Sequence, residues 1–290
     1  MSSSKLAHLW VKEFFEELNE LGVGCVAVAP GSRSTVLAIQ AHNIFKDKLL
    51  VHFDERGLAF AALGAAKISR LPSCIITTSG TAVANLLPAV IEARLSGTPL
   101  IIISADRPPE LKDRSANQTI DQTKILGDNV NYYFELPCAS DEIKVETVRD
   151  WAASAWGHSQ NIRAGVSHIN WMFREPFLTT PNQDELIPLS DPAITKRKRY
   201  IPKVSICGDT SRLKSFLAEA KNGLCVVGEL QTNSEADAVA TIIKKIGWPT
   251  FADPLSQLRL RNDIPNLIEY GDLALLKEFD KNNSPDAVLH

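Results

Sequence analysis

The segment Val51–Ser69, VHFDERGLAFAALGAAKIS, decides the fold. It opens on an apolar run that reads as a short buried strand. It then passes two acids and an arginine and enters a helix built mostly of Ala, Gly and Leu. Charged residues are rarely set beside close-packed small-residue surfaces without a partner. Glu55 is therefore either a solvated acid at a helix start or a residue that binds something.

The same strand-then-helix rhythm runs outward on both sides. Strand-like runs are CVAVA from Cys25, LLVHF from Leu49, SCIITT from Ser73, LIIISA from Leu100, YYFEL from Tyr132 and GVSHIN from Gly165. Helical stretches are expected to begin near Ser34, Arg56, Thr81, Asn117 and Asp141. The runs are apolar at both alternating positions, as strands covered on two faces must be. Ahead of them Leu6, Leu9, Phe14, Leu18 and Leu21 fall near one helical face, with Ser4 placed to cap it. The fold class is α/β, with a parallel, doubly wound sheet over residues 1–180. A Pro-rich, charged linker follows at 181–201. Residues 202–290 begin a second α/β domain that looks incomplete, with about two strands where a doubly wound domain needs roughly five.

Composition bounds the partners. The chain has 290 residues, 44% hydrophobic and 22% charged, with a formal net charge of −3, so no global charge favours nucleic acid or an anionic membrane. Five cysteines lie far apart without a CxxC pair and read as reduced core residues. No long apolar run marks a signal peptide or a membrane span, and a cytoplasmic protein is expected. The histidines lack ligand spacing, Trp151, Trp156 and Trp171 read as packing, and the run Lys196–Arg199 reads as a solvated linker. Arg259 and Arg261 read as solvated.

In open α/β sheets ligands sit beyond the carboxyl ends of the strands. The first strand is followed by PGSRST, where Pro30 and Gly31 turn the chain and Ser32, Arg33 and Ser34 open a helix. Free N–H groups beside a guanidinium suit an anion, although a capped helix with an incidental Arg fits equally well. The second strand gives FDERG, where Asp54 and Glu55 also suit a helix dipole. The third gives TSGTAVAN, a small-residue turn that lets backbone approach a ligand. It is neither a phosphate loop nor a nucleophile elbow. The fourth gives ADRPPELKDRSANQTIDQ, in which two prolines stiffen the chain after Arg107 and Asn117, Gln118 and Gln122 supply amides. Four strand ends on one sheet edge make a site, and two arginines imply a small anionic substrate.

At APGSRST, FDERGLAFAALGAAK, TSGTAVANLLPAVIEA and SADRPPEL…ANQTIDQ the sequence resembles the thiamine-diphosphate-dependent 2-succinyl-5-enolpyruvyl-6-hydroxy-3-cyclohexene-1-carboxylate synthases of menaquinone biosynthesis. The resemblance implies that the first domain binds the cofactor's pyrimidine and that the second is a central domain. Glu55 would be catalytic, bonding the aminopyrimidine so that its imino form deprotonates the thiazolium carbon. That role calls for a dry surround. It implies cofactor contacts at Gly31, Thr81 and Asn85, and substrate contacts at Ser32, Arg33, Arg107, Asn117 and Gln118. The substrates implied are 2-oxoglutarate, which is decarboxylated, and isochorismate, which receives the succinyl-semialdehyde unit. Gly57, Ala61, Gly64 and Ala65 would pack closely against a second subunit in a homodimer or homotetramer.

The resemblance is thinner after the linker. The family's Gly-Asp-Gly…Asn motif, which holds the diphosphate through Mg2+, has no match; CGDT at Cys207 lacks the second Gly. The expectation is an amino-terminal portion of a synthase, with its metal ligands elsewhere and no activity alone. Two alternatives stay open: an acetolactate-synthase-like thiamine enzyme, and a non-catalytic carboxylate-binding module. A nicotinamide dehydrogenase is disfavoured because G-x-G-x-x-G is missing.

Overall fold

The computed structural model describes residues 2–160, 163–178, 209–271 and 284–290. The chain divides into two compact units, Met1–Arg197 and Lys198–His290. The linker expected at 181–201, the run Lys196–Arg199 and Cys207 lie outside the described residues.

The first unit is built on six parallel strands: β1 (Cys25–Val28), β2 (Leu49–Val51), β3 (Ser73–Thr77), β4 (Leu100–Asp106), β5 (Tyr132–Leu136) and β6 (Val166–Met172). Their spatial order is β2-β1-β3-β4-β6-β5. Successive strand residues point to opposite faces and feed two cores. Val26, Ile76, Ile101 and Ile103 face α1 (Ser3–Leu21), α2 (Thr35–Phe45) and α6 (Val145–Ser159). Ala27, Ile75, Leu100 and Ile102 face α3 (Glu55–Ser69) and α5 (Leu87–Leu95), the latter preceded by the short α4 (Thr81–Ala84). The parallel sheet with helices on both faces is therefore the fold read from the sequence. Each fully buried Ile or Leu contributes about 1.5–3 kcal/mol.

Local chemistry fixes the elements. α1 buries Trp10, Phe14, Phe15 and Leu18 and ends at Gly22, whose φ of +96° lets its N–H reach the Leu18 carbonyl. Its cap is Ser2, which accepts from the Lys5 N–H; Ser4, expected in that role, lies buried inside the helix. Arg149 of α6 grips α1 through Glu13, Glu17 and Glu20 at 3.1, 2.8 and 2.9 Å.

Two further expectations fail in this unit. β2 is not buried: it is the edge strand, with Val51 54% and Phe53 89% exposed. No helix starts near Asn117. Positive φ at Asp113, Ser115, Gln118 and Lys124 breaks helical continuity there, and the segment turns instead. The helix expected from Asp141 begins at Val145.

The second unit carries α7 (Ser211–Glu219), β7 (Gly223–Val227), α8 (Asn233–Ile246), β8 (Thr250–Ala252), β9 (Leu267–Ile268) and β10 (Ala287–Leu289). Its strands are parallel in the order β10-β7-β8-β9. That is four strands rather than about two, because β9 and β10 are too short to show a period. α8 starts at a capping box, with Thr232 and Glu235 each accepting the other's backbone N–H. Arg261, expected to be solvated, pairs with Asp237 and Asp263.

Candidate functional site

The polar strand ends of the first unit form one row, because β2, β1, β3, β4 and β6 are consecutive neighbours. The β1 turn packs directly on the β3 end. A Cβ on Gly31 would lie 2.5 Å from Thr78, so only glycine fits. Ser32 is exposed, and the Ser34 hydroxyl folds back on Gly31, accepting from its N–H and donating to its carbonyl. Arg33 turns inward. Its Nη1 donates to the Phe173 carbonyl at 3.0 Å and its Nη2 to Glu175 Oε1 at 3.1 Å, while the Phe177 ring lies 4.8 Å from the guanidinium carbon. Arg33 Nε is buried without a partner.

The β3 turn is held from two sides. Gly80, at φ +86°, donates its N–H to Gln122 Oε1 at 2.7 Å, and Gln118 Nε2 donates to the Ser79 carbonyl at 2.8 Å. A Cβ on Gly80 would sit 2.9 Å from Gln118. Thr81 and Asn85 are exposed one turn on, with the Asn85 amide donating to the Thr81 carbonyl. Thr77 Oγ1 and Ser79 Oγ are buried and unpartnered. Asn117 is exposed.

A buried network supports the floor. His168 sits on Ser104 at 2.8 Å, Ser104 donates to Asn170 Oδ1, and Asn170 Nδ2 donates to Asp106 Oδ2. Gln122 Nε2 donates to Asn170 and to the Ala105 carbonyl. Burial drives the His168 pKa down to about 3, so the ring is neutral. Asp106 also accepts the Arg107 N–H at 2.7 Å and pairs with Lys112 at 3.1 Å.

Arg107 is the exception in this network. Its side chain is buried, its Nη1 has no hydrogen-bond partner, and among the described residues its guanidinium makes no ion pair. Burial lowers its pKa, and the Arg33 charge lowers it further, while Asp106 and Glu175 oppose them. A guanidinium stays charged regardless. A buried cation with an unfilled donor is chemically suited to an anion.

Glu55 stands apart. It opens α3 after the edge strand, half-buried, and among the described residues its carboxylate takes no hydrogen bond or ion pair. The α3 cap is Asp54, which accepts from the Arg56 and Gly57 N–H groups. The dry surround expected for Glu55 is absent, since Phe53 and Asp54 beside it are exposed. β2 and β4 are three strand spacings apart, roughly 14 Å. By strand order Glu55 follows β2, one spacing from the β1 turn and three from β4, while Arg33 reaches from that turn to Phe173 and Glu175 after β6, and Gln118 closes on Gly80. Sequence reading missed Asp106, Asn170 and Glu175; a polar residue inside an apolar strand, as in VSHINWM, was the signal available. Among the described residues, no group of three or more His, Cys, Asp or Glu could hold a metal ion, and no helix is long and apolar enough to cross a membrane.

Residues 11–125 match the family described as thiamine pyrophosphate enzyme, N-terminal TPP binding domain, and the parallel α/β sheet is the fold of that domain. A solved thiamin diphosphate-dependent enzyme from Mycobacterium smegmatis shares the fold, with a TM-score of 0.63 at 20% identity over 84% of this chain and 44% of that one. The chain is similar to 2-succinyl-5-enolpyruvyl-6-hydroxy-3-cyclohexene-1-carboxylate synthases. It is 40% identical to the synthase of Rubrobacter xylanophilus over 284 residues, covering 97% of this chain and 50% of the relative. The values are 39%, 97% and 49% for Salinibacter ruber, and 42%, 92% and 47% for Aeromonas salmonicida. The chain spans about half the length of these relatives.

Proposed function

We propose that this chain supplies the pyrimidine-binding and carboxylate-binding part of a synthase acting in menaquinone biosynthesis. The reaction proposed is thiamine-diphosphate-dependent decarboxylation of 2-oxoglutarate, followed by transfer of the succinyl-semialdehyde unit to isochorismate. The observation that carries the reading is Arg107, a buried guanidinium with an unfilled donor beside Arg33. Both substrates are small anions, and a buried cation gains most from a carboxylate that is desolvated with it.

The residues fit the cofactor's pyrimidine end. Gly31 and Gly80 keep the turns flat where a Cβ would collide, and among the described residues the Glu55 carboxylate takes no internal bond. When bound, the cofactor supplies a thiazolium carbon that acts as the nucleophile. Glu55 holds a proton at the aminopyrimidine, Gly31, Thr81 and Asn85 line that ring, and Arg33, Arg107, Ser32, Asn117 and Gln118 bind and orient the substrate. Mg2+ and the cofactor diphosphate are assigned to residues outside this chain. The domain division proposed remains 1–180, 181–201 and 202–290, and the setting is a cytoplasmic enzyme with no nucleic-acid partner.

A second copy of the chain is proposed to cover Glu55. On α3 a Cβ at Gly64 would meet nothing within 4 Å, Ala61 is exposed, and Ile68 is 88% exposed. Calorimetric titration of 2-oxoglutarate and of isochorismate, with wild type and Arg107→Ala, tests the reading. Binding that is lost with Arg107 supports it; no heat for either ligand removes it.

A further inference from the structure

We propose that Glu175 is a specificity-determining residue of the Arg33–Arg107 site, limiting the pair to one ligand carboxylate at a time. The inference rests on the reading of that pair as an anion site. Arg33 and Arg107 reach the same region from β1 and β4, two strand spacings apart, yet they are held very differently. Arg33 is fixed by the Phe173 carbonyl, the Phe177 ring and Glu175. Among the described residues Arg107 has no carboxylate of its own in hydrogen-bond reach, since Asp106 is spent on the Arg107 backbone N–H, Asn170 and Lys112.

Glu175 occupies the aqueous edge of Arg33. The Arg33 side chain is 7% exposed and the Glu175 side chain 68%. Its charge also reaches Arg107, where it opposes that of Arg33. With Asp106 and Lys112 cancelling each other, two guanidinium charges stand against one carboxylate, which leaves a single positive charge for a ligand. A first ligand carboxylate pairs with Arg107. A second one directed at Arg33 would have to displace Glu175 or approach it against like charge. Because Glu175 is solvated, its field is screened, and the selectivity it imposes is about tenfold rather than absolute.

The probes are acetate, with one carboxylate, and malonate, whose two carboxylates sit on one carbon and must face the pair together. Their dissociation constants are measured at constant ionic strength on the whole chain for wild type, Glu175→Gln, Glu175→Asp and Arg107→Ala. The expected result is that Glu175→Gln raises the preference for malonate over acetate about tenfold, while Glu175→Asp, which keeps the charge, leaves the preference near that of wild type. A general loosening of the loop would move both affinities alike and leave their ratio unchanged. An unchanged ratio in Glu175→Gln, with binding still dependent on Arg107, overturns the role of Glu175 and spares the anion site. Failure of wild type to bind either anion, or binding unaffected by Arg107→Ala, overturns both.

Discussion

The two ends of the strand-end row differ in how far they are finished. Behind the exposed turns at β1, β3, β4 and β6, Arg33, Ser104, Asp106, Gln122, His168 and Asn170 are buried and hydrogen-bonded, so the unbonded Nη1 of Arg107 is conspicuous. At β2 and α3, Phe53, Phe60 and Ile68 lie open, and Glu55, close to Phe53 at the start of α3, has no internal partner among the described residues. A site whose walls come from its own sheet can be preorganised by folding alone. A site bounded by open apolar surface needs another surface to dry it. On the reading proposed above, the Arg33–Arg107 end would be complete within this unit and the Glu55 end only in an assembly.

The buried end should be the more fragile. Asn170 joins Ser104, Gln122 and Asp106, and Asn170→Ala removes one partner from each of three buried groups, although Asp106 keeps Lys112 and the Arg107 N–H. Leaving buried polar groups unsatisfied costs about 1–3 kcal/mol. Urea denaturation is expected to show a loss of that size. A loss below about 1 kcal/mol would mean that water reaches Asp106 and that this end is less finished than its geometry implies.

The open end should be sensitive to association. Ile68→Asp on α3 leaves the fold intact, since Ile68 packs on nothing buried, but places charge in the proposed contact with a second copy. Sedimentation is expected to show self-association weakened by about a hundredfold, which is about 2.8 kcal/mol. Unchanged association would move the contact to another face.

Much of this contrast was legible in the sequence. The six strand runs were readable because parallel strands buried on both faces are continuously apolar, and LIIISA and SCIITT have no other use. Arg33, Arg107 and Glu55 were readable because each follows directly on a strand. The exposure of LLVHF was not, since an edge strand awaiting a partner has the same composition as a buried one. Nor was the placement of Glu175 on Arg33, which joins positions 142 residues apart. The loop around Asn117 was misread because its amides and Leu-Lys spacing resemble a helix, while its four left-handed residues carry no glycine to betray them.

His168 offers a titration of the buried end. Its folded pKa near 3 lies below the ordinary value of 6.5. Between these two pH values the unfolded chain holds a proton that the folded chain refuses. Stability from this residue is therefore complete above pH 6.5 and is lost as pH falls toward 3, by up to about 1.4 kcal/mol per pH unit. In His168→Gln that slope should shrink by up to the same amount while the acid limb from carboxylates remains. Identical slopes in the two proteins would show that the ring is hydrated.

The smallest effect belongs on the open side. Lys67 on α3 meets Glu92 on α5 at 2.7 Å, with both side chains about half exposed. Solvent screens the pair, and holding two long side chains in one geometry offsets most of the attraction. Lys67→Ala is expected to change stability by about 0.5 kcal/mol or less, vanishing at high salt. A larger, salt-resistant loss would mean that this flank of α3 is shielded from water, and the division between a finished and an unfinished end would then have to be redrawn closer to Glu55.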